Sequence, residues 1–247
     1  MSISVCLASY NGAKFIELQL ESIIKQLHHD DEIIIVDDCS TDNTLEIIMS
    51  INDERIKIFL NEINRGHVFS FGRAISLSTK DIIFMSDQDD IWIDGRVALM
   101  KSKLVNSDAM LVSTNSNFVD SKGGKIVFNI DGVDSKFSDK NLSNIIDILK
   151  GKENYYGCAM ALKKELKALI LPIPGYVESH DLWIAMAANI IKSNLHCDEV
   201  TLNRRVHGAN ASIVKRKLFF KIWSRIIFLR SILQLFFRKL SIKRKDE

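Results

Sequence analysis

Only two prolines, Pro172 and Pro174, occur in 247 residues, so the loops are not rigid spacers. Low-complexity tracts and internal repeats are absent as well. The four cysteines, Cys6, Cys39, Cys158 and Cys197, show no Cys-x-x-Cys spacing and no paired histidines. That argues against a zinc site or a disulfide framework and for a reducing compartment. No stretch reaches the roughly 20 consecutive apolar residues needed to span a bilayer. Met1 leads straight into Ser-Ile-Ser-Val-Cys-Leu, without a basic n-region or cleavage site, and this start reads as a first strand. No Gly-x-Gly-x-x-Gly follows it, against a dinucleotide dehydrogenase, and no Gly-Lys-Ser/Thr loop occurs, against a P-loop nucleotidase.

What is present fits an ordinary globular protein, with 47% hydrophobic and 26% charged residues. The formal net charge of +2 hides a division. Residues 215–247 hold 11 of the 33 Lys and Arg and only two acids, whereas residues 1–214 hold 22 basic against 29 acidic side chains. The expectation is an acidic catalytic body, 1–214, with a basic attachment segment, 215–247.

Apolar runs alternate with helical patterns. Ile3–Ser9 ends in Tyr10-Asn11-Gly12, a turn signal, and Phe15, Ile16, Leu20, Ile23, Ile24 and Leu27 then recur at helical steps. Strands are expected at Glu32–Asp37, Ile56–Leu60 and Ile82–Ser86, with helices after residue 43 and over 68–76. Nearly all-apolar strands in β-α-β-α order predict a mainly parallel sheet flanked by helices, an α/β fold. Loops at the carboxyl ends of such strands form the binding crevice, which selects residues 9–11, 37–41 and 87–90. The second half reads as strands at 110–115 and 126–129, a hairpin turn at 122–125, and a helix at Asn141–Lys150. A strand at 158–162, a helix at 181–192 and two closing strands at 195–201 and 204–206 follow.

Four groups of residues carry chemistry. Ser86-Asp87-Gln88-Asp89-Asp90 ends an apolar strand, and three carboxylates in four residues repel one another unless something positive holds them. In extended geometry Asp87 and Asp89 project to one side, and hard oxygen donors at that spacing suit Mg2+ or Mn2+ bridging to a diphosphate. The bland alternative is a solvated acidic turn. Val36-Asp37-Asp38-Cys39-Ser40-Thr41-Asp42 can bind a base or a ribose, or simply cap a helix. Asp181, in Glu178-Ser179-His180-Asp181, is a general base or an acid welcomed by a helix dipole. Arg204-Arg205-Val206-His207 supplies cations near a departing diphosphate, although lone surface cations are commoner.

In order along the chain, these groups resemble family 2 glycosyltransferases of the GT-A, Rossmann-like fold. The carriers are Ala8-Ser9-Tyr10-Asn11, residues 36–44, Asn64-Arg65-Gly66, Ser86-Asp87-Gln88-Asp89-Asp90-Ile91-Trp92, Gly157-Cys158-Ala159-Met160, His180-Asp181-x-Trp183 and Arg205-x-His207-Gly208-x-Asn210. The Ser-Asp-Gln-Asp-Asp and His-Asp-x-Trp versions look most like the rhamnosyltransferase branch that builds O-antigen and related bacterial polysaccharides. Ser70, where that branch commonly has Asn, and Val206, where it has Gln, depart from it.

The resemblance implies that Ser9, Tyr10 and Asp38 contact the nucleoside of a nucleotide-sugar donor, that Asp87 lies near the ribose and that Arg205 serves the donor diphosphate. It further implies that Asp89 binds the metal, that His207 meets the metal or the diphosphate, and that Asp181 is the catalytic base of a single inverting displacement. It points to dTDP-L-rhamnose as donor, with a UDP-hexose as the alternative, and to a glycan or lipid-linked glycan as acceptor. A non-catalytic nucleotide- or glycan-binding module is the rival from another class, and a sugar-nucleotide pyrophosphorylase lacks the basic glycine-rich loop it needs.

From Leu218 to Leu240 apolar residues recur at helical spacing, with Lys217, Lys221, Ser224, Arg225, Ser231 and Arg238 gathered opposite. A basic amphipathic helix of this kind predicts peripheral contact with an anionic membrane at the cytoplasmic face. The alternative is packing on the domain or on a second subunit. Nucleic acid is not expected, because the apolar face would then have no partner.

Overall fold

The computed structural model describes residues 1–127, 132–152, 155–207 and 218–246. The boundary expected at residue 214 and the end of the strand expected at 126–129 lie outside the described residues, as do Gly208 and Asn210.

The first half alternates as read: β1 (Ile3–Ser9), α1 (Ile16–Ile24), β2 (Glu32–Asp37), α2 (Thr44–Ser50), β3 (Ile56–Leu60), α3 (His67–Leu77) and β4 (Ile82–Ser86). After it come β5 (Ile91–Trp92), α4 (Arg96–Val105), β6 (Leu111–Val119), β7 (Lys125–Ile126), α5 (Asn141–Lys150) and β8 (Met160–Lys163). The chain closes with α6 (Lys167–Ile170), α7 (His180–Ile190), β9 (Asn194–Arg205) and α8 (Leu218–Asp246).

The sheet runs β3-β2-β1-β4-β8-β6-β9-β5, with β7 beside β6. β3, β2, β1 and β4 are mutually parallel, β8 is antiparallel to both β4 and β6, and β9 is parallel to β6. Apolar strands are needed because both faces are covered: in β2, Ile33 and Ile35 join one core while Ile34 and Val36 join the other. β1 lies between β2 and β4: the chain runs outward from β1 through β2 to β3 and then crosses back to β4 on the other side. Loops 9–12, 37–43 and 87–90 therefore meet at the carboxyl end, where such sheets bind ligands.

Three expectations need correction. The two closing strands are one, β9, whose Asn203 pairs with Ile91 of β5 and accepts at Oδ1 from Asn117 Nδ2 at 3.1 Å. A polar residue that reads as a break is satisfied inside the sheet. Residues 87–90 leave the strand through a bend at 88–89, so strand alternation does not govern where Asp87 and Asp89 point. Along α8, Ser224, Ser231 and Arg238 face the domain instead of solvent. Ser224 and Ser231 are buried, and Arg238 donates to the Leu169 and Pro172 carbonyls at 3.0 and 2.7 Å. Small serines let the helix approach closely, and beside them Ile227, Phe228 and Leu235 are buried as well.

Candidate active site

The first two loops are laced together by side chains. Ser9 Oγ donates to Asp37 Oδ2 at 2.8 Å, and Ser40 Oγ donates to the same oxygen at 2.6 Å. Asn11 stands at φ +48°, the left-handed region that asparagine tolerates, and its Oδ1 accepts from the Thr41 amide at 2.8 Å. The Gly12 amide donates to Thr44 Oγ1 at 2.8 Å. Asp38 is buried; its Oδ1 accepts from Asn61 Nδ2 and the Arg65 amide, and its Oδ2 from the Gly66 amide. Of the three residues expected at a nucleoside, Ser9 and Asp38 thus organise loops from buried positions, and Tyr10 stands exposed at the crevice.

Gln88 clamps this platform to the acid loop. The Tyr10 amide donates to Gln88 Oε1 at 2.8 Å, and Gln88 Nε2 donates back to the Tyr10 carbonyl at 3.0 Å. The clamp requires Gly12, since a Cβ there would lie 2.3 Å from Gln88 Oε1. Around Gln88 the acids separate into two groups. Asp89 Oδ2 pairs with His207 Nε2 at 2.8 Å, so the two residues expected at a metal do meet. The His207 ring packs on Phe15, centroids 5.0 Å apart.

Asp87, Asp90 and Cys158 form the second group, their ligand atoms within 4.8 Å of one another. Burial, then the charges of Asp90 and Asp89, push the Asp87 carboxyl up to about 8; the Arg204 guanidinium opposes the rise and the Asp181 carboxylate adds to it. Burial and the Asp89 charge push Asp90 up to about 6. Burial together with both carboxylates raises the Cys158 thiol well above its ordinary value, so it stays protonated and offers no thiolate. The donors left are carboxylates and one imidazole, a set that suits a hard divalent cation. Two acids that hold protons this strongly are two acids short of positive charge.

Cations reach the cluster from β9. Arg204 lies over the Tyr156 ring at 3.9 Å and within electrostatic range of Asp87 and Asp90. Arg205, expected at the diphosphate, is buried on the alternate face. Its amide donates to Asp90 Oδ1 at 3.0 Å, its Nε to the Asp89 carbonyl at 3.0 Å and its Nη1 to the Asp120 carbonyl at 3.1 Å. Arg96 backs the cluster: fully enclosed and lowered to about 10 by burial, it donates to the Cys158 carbonyl at 2.6 Å. Sequence reasoning passed over Arg96 and gave Gln88 and Asp90 no role of their own. Gln88 lay inside the acidic motif, but nothing in spacing connects it to Tyr10.

Asp181 lies in the first turn of α7, where the structure shows the capping contacts of its second reading. Its Oδ1 accepts from the Leu182 amide at 2.8 Å and from Ser179 Oγ, a capping arrangement that leaves Oδ2 outside the cap. Its charge is felt at Asp87 and at Tyr156. His180 beside it is buried, stacked on Phe71 at 4.1 Å and lowered to about 4 by burial, hence a neutral ring. Gly157 permits that seat, because a Cβ there would lie 2.6 Å from His180 Nε2. A cavity of about 690 Å³ shares Tyr156 with the cluster and is lined also by Asn115, Phe118, Phe137 and His196.

Comparison with known proteins agrees with this layout. The family model described as "Glycosyl transferase family 2" matches residues 4–169. The UDP-Glc:alpha-D-GlcNAc-diphosphoundecaprenol beta-1,3-glucosyltransferase WfgD of Escherichia coli is 28% identical over 127 residues, 51% of this chain and 50% of that protein. The dTDP-rhamnosyl transferase RfbG of Shigella flexneri is 41% identical over 118 residues, 45% of this chain and 38% of that protein. The chain thus spans about half or less of the length of these two relatives. The S. aureus TarS 1–349 structure in complex with UDP-GlcNAc superposes with a TM-score of 0.69 at 16% identity, covering 98% of this chain and 73% of that one.

Proposed function

The chain belongs to glycosyl transferase family 2, and on that premise we propose that it moves a sugar from a nucleotide-sugar donor onto a lipid-linked glycan in bacterial surface polysaccharide synthesis. The observation that carries the reading is the convergence of Asp87, Asp89, Asp90 and His207, with Asp181 in electrostatic reach, at the carboxyl ends of β1, β2 and β4.

Tyr10 contacts the nucleoside, on a platform that Ser9 and Asp38 hold rigid. Asp87 lies toward the ribose, and Asp89 with His207 would hold Mg2+ or Mn2+. The cation, when bound, supplies Lewis-acid neutralisation of the diphosphate. Arg205 keeps the acid loop in place, and Arg204 stands where negative charge collects. Asp181 Oδ2 takes the proton from an acceptor hydroxyl as that oxygen attacks the anomeric carbon. The bond from that carbon to the diphosphate oxygen breaks, the electron pair leaves with the nucleoside diphosphate, and the configuration inverts. The acceptor glycan rests against the cavity beside Tyr156.

The donor is dTDP-L-rhamnose, a reading supported by RfbG at 41% identity. UDP-glucose is the second reading, favoured by WfgD. The lipid-linked acceptor follows the diphosphoundecaprenol named for that relative and sets the protein at the inner face of the cell membrane. The test incubates the chain and Mg2+ or Mn2+ with each donor and a diphosphate-lipid glycan, reading transfer by mass. Transfer from UDP-glucose alone overturns the donor. No transfer from any donor, together with no divalent-dependent melting shift by a nucleoside diphosphate, overturns the enzyme.

A further inference from the structure

We propose that the outward face of α8 is a docking surface for an anionic phospholipid bilayer, resting on the lipid-linked acceptor reading for its purpose. The helix carries two apolar faces. The inward one is fixed to the domain: Phe228 and Leu235 are buried, Ser224 Oγ donates to Glu178 Oε2 at 2.8 Å, and Lys239 Nζ donates to the Ile190 carbonyl at 2.9 Å.

Opposite it, Ile222, Ile226, Leu229, Leu233, Phe236 and Phe237 are all more than half exposed. At 100° per residue these six fall within an arc of about 100°, one continuous stripe. Arg225 and Lys243 border one edge and Arg230 the other, and the helix has no acid before Asp246. Beside the stripe lies a groove of about 560 Å³, lined by Leu171, Pro172, Leu233 and Phe237 together with Arg230 and Arg238. Its apolar lining suits an acyl chain, with the lipid phosphate beside Arg230.

An apolar stripe with a cationic rim matches the layering of an anionic bilayer, hydrocarbon beneath phosphate. A second copy is a poorer occupant, because a two-fold contact would bring like cationic rims together with no acid between them. Among the described residues no helix is long and apolar enough to cross a membrane, so contact is lengthwise. Since the inward face is already packed, docking needs no unfolding.

The experiment cosediments the full chain with vesicles of phosphatidylglycerol and phosphatidylcholine, or of phosphatidylcholine alone. Anionic vesicles should bind it at least tenfold more tightly. A Leu233→Glu/Phe237→Glu variant should lose at least tenfold of that binding with an unchanged melting temperature. Equal binding by both proteins, or a native dimer that the variant dissociates and that ignores vesicles, overturns the proposal. Donor affinity, measured on the same samples by calorimetry, reports separately on the glycosyl-transfer reading: its absence sinks that reading and leaves the docking result standing.

Discussion

Asp181 spends one carboxylate oxygen on the Leu182 amide and the Ser179 hydroxyl and keeps the other outside the cap. Asparagine reproduces the first role and cannot perform proton transfer. Asp181→Asn should therefore lower kcat by about 10²–10⁴-fold while leaving donor affinity and melting temperature unchanged, as paired calorimetry and initial rates would show. Retained turnover would reduce the residue to its cap. Asp89→Ala removes the acceptor of His207 and should abolish transfer, together with any shift in melting temperature produced jointly by a divalent ion and a nucleoside diphosphate. Gly12→Ala drives a methyl into Gln88 and should weaken donor binding with little change in global stability, a split that titration and thermal melting resolve. At this scale the sequence displayed the acids that the structure gathers in one loop and left their partners open. Arg204 and Arg205 are adjacent in sequence, yet only pleating decides which one puts its charge near Asp87 and which one brackets the loop by hydrogen bonds, and pleating needs a register that one chain segment does not contain.

Among the elements, β2 carries a pH signature separable from that of the acid loop. Burial alone would raise Glu32, but hydrogen bonds from Lys57, Ser4 and Thr79 outweigh it and hold the group at about 2, below its ordinary 4.5. A depressed acid contributes stability that is complete above 4.5 and lost as pH falls toward 2. The acid loop has the opposite sign. Asp87 and Asp90 are raised from 3.8, so stability is lost as pH climbs through about 6 and then about 8. Above pH 4.5 only the second effect remains. Melting temperature in a chelator should fall between pH 5 and 8, and Asp87→Asn should flatten that fall; an unchanged slope would refute the shared charge. β1, β2 and β4 were legible because their mainly apolar runs match burial on both faces, whereas β3 is a half-exposed edge strand. β5 was not, being two residues long, and α4 gave no reading at all. Its first residue, Arg96, is charged and yet wholly buried, a contradiction that only tertiary contacts resolve.

For the molecule as a whole, α8 belongs to the domain as much as to its surface. Phe228 is buried in the same core as Trp183, and Phe228→Ala should cost about 3–5 kcal/mol, read as a lower midpoint in chemical denaturation; an unchanged midpoint would show that the helix is not part of the cooperative unit. The division into an acidic body and a basic tail was legible in the charges, but which face of the tail turned inward was not, because serines read as polar before their close packing is known. The joining of the sheet has a consequence for how the protein comes into being. The Arg205 amide reaches Asp90 across 115 residues and His207 reaches Asp89 across 118. A nascent chain that has released β1 to β4 can close the parallel half, with its nearby partners, while three carboxylates wait without their cations. Only when β9 leaves the ribosome does the acid loop acquire both its strand partner and its countercharge, so the site is finished last, by the slow long-range pairing rather than by the early local helices.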